Sequence, residues 1–305
     1  RVLAYEGLDV LRARLEGFFL RREREAVLDQ LPDRTDHTFW TEMTYTQTRA
    51  YRRQASRVAK LLSRGQPLTA TEVRVLLREL TSMRMLCNAF AQFAWSDYQD
   101  RISDGAPPTP AELRALHSPK LEEFARVLED LLEDSDSKIV VFSEWERMLR
   151  LARFASRELL VRRDETADVF YGGLDSKARR RLLRRFREDP GFRVLFSTDA
   201  GGLGLNLQDS ASIVVNLEVP WNPAVLEQRI GRVHRMGQRR NVRVLHFVTK
   251  GAIEERVRQV VEAKKALFDG LLVDEVDRVV IDPRSQATIL ERVRDLVENE
   301  DGERN

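Results

Sequence analysis

Apolar residues follow two rhythms along the chain. Up to about residue 116 they recur at helical spacing: Leu8, Leu11, Leu15 and Phe18/Phe19 open the series, and the pattern resumes at 46–63 and 69–97, parted by Gly65-Gln66-Pro67. Only 36–43 departs from it and reads as a short strand. The stretch Asp104-Gly105-Ala106-Pro107-Pro108-Thr109-Pro110 then forms a loop or hinge, because adjacent prolines forbid regular structure. From Ser118 onward, strand-like runs at Lys138–Ser143, Ala167–Tyr171, Phe192–Ser197, Ser212–Leu217 and Arg243–Thr249 alternate with helical stretches at 144–160, 177–188, 223–236 and 251–268. Short apolar strands separated by helices predict an α/β fold, a doubly wound parallel sheet covered on both faces. The expected division is a mostly helical subdomain over 1–116, with 36–43 a candidate strand of the sheet, then an α/β lobe over 117–270. An extension over 271–305 ends in an acidic helix.

Length and composition bound this picture without changing it. At roughly 150 residues per domain, 305 residues make about two domains. No apolar run approaches the length of a membrane-spanning helix, and no signal-peptide pattern is present. The chain opens at Arg1 directly into helical sequence, so it is expected to be a piece of something longer. A lone cysteine, Cys87, rules out an internal disulfide or a cysteine zinc site and fits a reducing intracellular compartment, cytoplasm, nucleoid or nucleus. The four histidines are scattered without metal-ligand spacing, so no resident metal site is expected in this chain.

Charge does change it. The net value of +2 is silent about partners, but the distribution is uneven. Residues 122–136 hold seven acids and one arginine; 228–243 hold six arginines and no acid; 177–187 hold one lysine and six arginines. A charge run is by default a solvated helix face. Two basic runs in one α/β lobe, beside glycine-rich turns, point instead to a phosphate surface.

The most informative segment is Pro220-Trp221-Asn222-Pro223 followed by Gln228-Arg229-Ile230-Gly231-Arg232-Val233-His234-Arg235-Met236-Gly237-Gln238. Asn222 is a good N-cap, Pro223 suits the first helical position, and Gly237 is placed to end the helix in a left-handed conformation. On a continuous helix Gln228, Arg232 and Arg235 share one stripe, with Leu226, Ile230 and Val233 opposite. Just upstream, Phe192–Ser197 runs into Thr198-Asp199-Ala200-Gly201-Gly202-Leu203-Gly204-Leu205-Asn206. Glycines at the carboxyl end of a parallel strand let backbone N–H groups approach a phosphate or ribose.

Together these blocks resemble motifs V and VI of superfamily-two helicase-like ATPases, specifically the Swi/Snf group of double-stranded DNA translocases. Ser197–Leu207 is similar to that group's Ser-Thr-x-Ala-Gly-Gly-x-Gly-Leu-Asn-Leu, and Gln228–Gln238 to its Gln-x-x-Gly-Arg-x-x-Arg-x-Gly-Gln, with Trp221-Asn222-Pro223 as the signature between them. Lys138–Ser143 resembles motif IV; Tyr171-Gly172-Gly173-Leu174 and Gly251–Glu255 match further blocks. Phe19-Leu20-Arg21-Arg22 and Met83-Arg84 with Cys87-Asn88 resemble the family's helical protrusion. The resemblance implies a RecA-like second lobe that completes an ATP site, with Mg²⁺ held mainly by a first lobe this chain lacks. It implies Arg232 and Arg235 as arginine fingers, Gln228 as a residue that helps place the arginines or the attacking water, and Gly204 and Asn206 near the ribose. Thr198, Gly172, Gly173, Trp221 and Ser143 would face duplex DNA. Asp199 stands where many relatives carry Lys or Arg, and Asn216-Leu217-Glu218 replaces a more acidic stretch, so the roles of those positions do not transfer.

No G-x-x-x-x-G-K-[ST] phosphate loop occurs in the sequence, and the chain alone is therefore expected not to hydrolyse ATP. The acids of Leu271-Leu272-Val273-Asp274-Glu275 lie downstream of motif VI and read as a solvated linker. Three functions remain open at this level: a duplex-DNA translocase lobe, a strand-separating DNA or RNA helicase lobe, and a non-catalytic docking module. The double-glycine motif V favours the first over the second, and the intact arginine pair disfavours the third.

Overall fold

A computed structural model describes residues 4–6, 31–63, 68–102, 105–199, 205–259 and 278–280. Six strands form one sheet: β2 (Arg34–Thr41), β3 (Lys138–Ser143), β4 (Thr166–Phe170), β5 (Phe192–Thr198), β6 (Ala211–Asn216) and β7 (Val242–Thr249). All their pairings are parallel, in the order β2-β7-β6-β3-β5-β4. The short strands β1 (Ala4–Glu6) and β8 (Arg278–Val280) pair separately and antiparallel. The doubly wound α/β sheet predicted by the apolar rhythm is present. The stretch expected at 36–43 is the edge strand β2, starting two residues earlier and running in register with β7.

Between β2 and β3 the chain is helical: α1 (Tyr45–Leu62), α2 (Ala70–Asn88), α3 (Phe90–Phe93), α4 (Pro110–Ala115) and α5 (Pro119–Asp134). Capping boxes start three of them, Thr44 with Gln47, Thr69 with Glu72, and Thr109 with Glu112. The helical stretch expected at 69–97 divides where Ala89 turns extended. The lobe continues with α6 (Glu146–Ala155), α7 (Arg157–Arg162), α8 (Ser176–Glu188) and α9 (Pro223–Ile230), and residues 253–259 are again helical. Ser156 separates α6 from α7, its hydroxyl donating back to the Ala152 carbonyl at 3.0 Å.

Alternation along the strands builds two cores on opposite faces of the sheet. Ile139 and Val141 of β3 join Ile213 and Val215 of β6 and Leu245 and Phe247 of β7 beneath α5 and α6. Val140, Phe142, Val214 and Val244 face the other way, against Leu182 and Phe186 of α8 and Ile230 of α9. A third cluster gathers α1 and α2 against Val248, Ala252, Ile253 and Val257. Among the described residues no helix is long and apolar enough to cross a membrane. The protrusion-like residues 19–22, the acidic end at 290–305 and the second half of the stretch expected at 251–268 lie outside the described residues.

Candidate functional site

Because every strand of the main sheet runs the same way, Ser143, Thr198 and Asn216 end β3, β5 and β6 on one edge. Ligands of open α/β sheets bind beyond such a carboxyl edge. Here the loops after β5 and β6 bring the two most distinctive sequence blocks together. The Leu207 N–H donates to the Arg232 carbonyl at 2.9 Å. The Arg235 guanidinium donates to the Asn206 side-chain oxygen, and Arg187 of α8 reaches the Asn206 backbone carbonyl at 3.4 Å. Two arginines from separate elements thus meet one asparagine that is itself exposed.

The element carrying Arg232 and Arg235 differs from expectation. A helix over 223–236 is predicted from the sequence; α9 stops at Ile230, with Gly231 as its C-cap donating to the Glu227 carbonyl at 2.8 Å. Residues 231–237 continue as tight turns, with Arg232 N–H to Arg229 O and Val233 N–H to Ile230 O. Gln238 pins the far end. Its side-chain amide donates to the carbonyls of Ala211 (2.8 Å) and Val233 (3.2 Å), and its oxygen accepts from the N–H groups of Arg239 and Arg240. Gly237 adopts φ +94°, a left-handed conformation that glycine tolerates, closing the turn rather than the helix. The single-stripe wheel therefore holds for Gln228 alone, which is exposed on α9; the two arginines are placed by turn geometry.

The sequence-predicted DNA residues fall in different environments. Gly172 and Gly173 are exposed in the turn after β4, whose carbonyls at Gly172 and Leu174 accept from Arg179. The other arginines of α8 at 180, 181, 184, 185 and 187 are exposed. Thr198 and Ser143 are buried. The Ser143 hydroxyl donates to Glu218 at 2.8 Å and so faces inward. Trp221 is half-buried against the α1/α2 cluster. Gly204, with Gly201 and Gly202, lies outside the described residues. Among the described residues no group of three or more His, Cys, Asp or Glu side chains could hold a metal ion.

What sequence reasoning missed is a buried charge network under this edge. Arg229, 2% exposed, donates to both oxygens of Asp199 (2.6 and 2.8 Å), to a Glu218 carboxylate oxygen (3.2 Å), to the Glu218 carbonyl (3.1 Å) and to Asn216 (3.3 Å). Burial acts to lower its pKa, but the hydrogen bonds and charges of Asp199 and Glu218 outweigh it and hold the guanidinium above its ordinary value. Glu218 also accepts from Ser143 and from the Glu144 N–H at 2.6 Å. Glu144 in turn receives Arg84 of α2 at 2.8 Å, and that guanidinium lies over the rings of Trp145 and Trp221 at 4.7 and 5.4 Å. Loop ends after β3, β5 and β6, the last turn of α9 and the helical region are thereby tied through one set of charges. The signal was present in the sequence: Asp199 and Glu218, both departures from the family pattern, are two acids at strand ends that need a cation.

Residues 120–237 match the family model described as the helicase conserved C-terminal domain. DNA repair protein RAD5B of Arabidopsis thaliana is 39% identical over 160 residues, 52% of this chain and 12% of that protein. DNA repair and recombination protein RAD54 of Saccharomyces cerevisiae is 27% identical over 276 residues, 85% of this chain and 29% of that protein. The chain thus spans well under a third of either relative. Among solved structures, the Sulfolobus solfataricus SWI2/SNF2 ATPase core in complex with dsDNA superposes with TM-score 0.61 at 25% identity, covering 85% of this chain and 51% of that one. The C-terminal domain of that ATPase superposes with TM-score 0.60 at 20% identity, over 87% of this chain and 99% of the other.

Proposed function

Since this chain carries the C-terminal, RecA-like lobe of the Swi/Snf type of helicase-like ATPase, we propose that it serves as the second half of an ATP-driven duplex-DNA translocase. In this reading Arg232 and Arg235 act as arginine fingers once a first lobe closes against the carboxyl edge of the sheet. The observation that carries the reading is the meeting of Arg235 and Asn206, which ties the motif VI turn to the end of the motif V loop. Guanidinium groups on an exposed edge suit the oxygens of a triphosphate, because their planar forks match phosphate geometry.

ATP with Mg²⁺ would supply a γ-phosphoryl group whose transfer to water releases free energy. Toward it, Arg232 and Arg235 place positive charge where oxygen charge develops, while Gln228, exposed on α9, helps to place the arginines or the attacking water. Asn206 holds the Arg235 fork and, with Gly204, borders the ribose. The Mg²⁺ ligands and the phosphate loop belong to the first lobe, the intramolecular partner of this chain. Gly172, Gly173 and the exposed arginines of α8 contact the phosphates of the tracked duplex, with Trp221 at its border; Thr198, buried at the end of β5, supports that edge from beneath, and Ser143, turned inward, holds the β3 end through Glu218. Residues 1–116 supply the protrusion apart from β2, which joins the sheet of the lobe over 117–270, and 271–305 is an extension. The protein works inside the cell, where duplex DNA is found.

The test is made on the full protein containing this lobe. Arg235→Ala is expected to lower DNA-stimulated ATP turnover by about 10³-fold or more, with duplex binding largely kept. Residues 1–305 alone are expected to release no phosphate from ATP, and a forked duplex to remain unseparated. Robust ATP hydrolysis by the isolated chain would overturn the assignment.

A further inference from the structure

The helix α1 carries Arg49, Arg52, Arg53, Arg57 and Lys60 and no acid. Arginine is abundant in this protein, but several arginines of other helices are paired with acids on their own helix or its C-cap. Arg126 of α5 meets Glu123 and Asp130, Arg150 of α6 meets Glu146, and Arg184 and Arg185 of α8 meet Glu188 and Asp189. On α1, Arg49 and Arg53 have no hydrogen-bond or ion-pair partner among the described residues. Arg52 and Arg57 do have partners, Arg57 resting on Gln54 at 3.2 Å and on the buried Glu79 at 3.6 Å.

These arginines stand at intervals of four, so they share a face and follow one another at about 6 Å along the axis. They line a groove of about 530 Å³ between α1 and α3, together with Tyr45, Phe90 and Phe93. Tyr45 is 81% exposed, an aromatic ring left in water at the mouth of a basic channel. Phe90 and Phe93 give the groove an apolar side. The ring of Phe90 already meets Tyr98 and His117 edge-on and Phe93 at a tilt, with centroids 6.0–6.5 Å away. Exposed Tyr45 offers a face on which a base could stack, but a sugar-phosphate backbone has no apolar side chain to lay against Phe90 and Phe93, so nucleic acid would use only the basic side of the groove. A peptide with carboxylates one helical turn apart and apolar side chains between them satisfies both parts of the groove.

We propose that the groove between α1 and α3 docks an acidic peptide segment of a partner protein, its carboxylates on Arg49 and Arg53 and an apolar side chain against Phe93. Arginine and aromatic residues in a partly desolvated hollow are the usual anchors of such contacts. The proposal goes beyond the motor reading and needs neither ATP nor DNA, so either can fail without the other.

The experiment uses the 305-residue chain and fluorescein-labelled 16-residue peptides followed by anisotropy. One peptide carries glutamate at every fourth position with leucine and phenylalanine between; a second has the same charge with glycine and serine instead. Single-stranded and duplex oligonucleotides form the third and fourth arms. The apolar acidic peptide is expected to bind best, and more weakly as salt rises. Arg49→Glu with Arg53→Glu is expected to weaken that binding by about tenfold or more, Phe93→Ala to weaken it independently, and Arg49→Gln with Arg53→Gln to follow the same direction more mildly. Oligonucleotide affinity should be unchanged by these substitutions. Equal binding of the two peptides, or no binding of either, would overturn the proposal. So would a parallel loss of oligonucleotide affinity, which would assign the face to nucleic acid.

Discussion

A single guanidinium, that of Arg229, holds three strand ends and two carboxylates together at a cost in desolvation that only its partners offset. Removing it strands Glu218, which is fully buried, and Asp199 beside it. Breaking a buried ion pair from one side costs about 3–5 kcal/mol, and Arg229→Met is expected to lose stability in that range by urea denaturation. Arg229→Lys keeps the charge but not the fork, so its loss should be smaller. A variant as stable as the parent would show that the network contributes no net stability. At this scale the sequence was half legible. Arg232 and Arg235 stand out because spacing and glycines frame them. Arg229, one residue from Gln228, looks like another surface arginine until the acids at 199 and 218 are brought beneath it by strands that neither of them marks.

Elements were easier to read than residues, because the strands of a sheet buried on both faces announce themselves as apolar runs. Each expected strand of the lobe appears within a residue or so of its predicted bounds. Helix ends were less legible, since a period of 3.6 does not say when a side chain elsewhere will seize the backbone. Gln238 does this for the turns after α9, and Ser156 for the break after α6. Edge strand β2 shows the same dependence on partners. Its Arg34 pairs with Asp36 and with Glu227 of α9, each at 3.0 Å, and Asp36 faces His246 at 3.8 Å. Burial acts to raise the Asp36 pKa, but hydrogen bonds from His246 and Arg34 overcome it and hold the carboxyl at about 2, below the usual 3.8. A carboxyl depressed on folding contributes stability above its unfolded value, lost as pH falls from there through about 2. In Asp36→Asn the acid-induced loss of stability between pH 4 and 2, followed by circular dichroism, should therefore be shallower than in the parent. Identical acid limbs would show that β2 is not pinned through this group.

Across the whole molecule, the helical region and the lobe are not beads on a string. Lys120 of α5, buried, donates to Glu254 at 2.7 Å and to Asn88 at the end of α2 at 2.9 Å, and Glu254 accepts the Thr249 N–H at the end of β7. Ser118 reaches the Asn88 carbonyl and Thr249 the Cys87 carbonyl. Lys120→Met leaves a buried carboxylate without its cation and is expected to cost about 3–5 kcal/mol. Hydrogen exchange should quicken in α2 and around 249–254 together; a change confined to one side would show that the two regions are energetically separate. The sequence supplied the pieces, Cys87-Asn88 and Gly251–Glu255 among them, but nothing in it says that these distant blocks share one lysine.

The pairing of β2 with β7 also sets a timetable. Synthesis delivers residues 34–41 well before the strand they lie against, residues 242–249, emerges. Until then α1 and α2 must wait without Val248, Ile253 and Val257, the apolar residues that complete their cluster. Contacts so remote along the chain fold slowly and leave apolar surface uncovered meanwhile. The interval between the emergence of β2 and that of β7 is therefore when this apolar surface lies most open to proteases and aggregation.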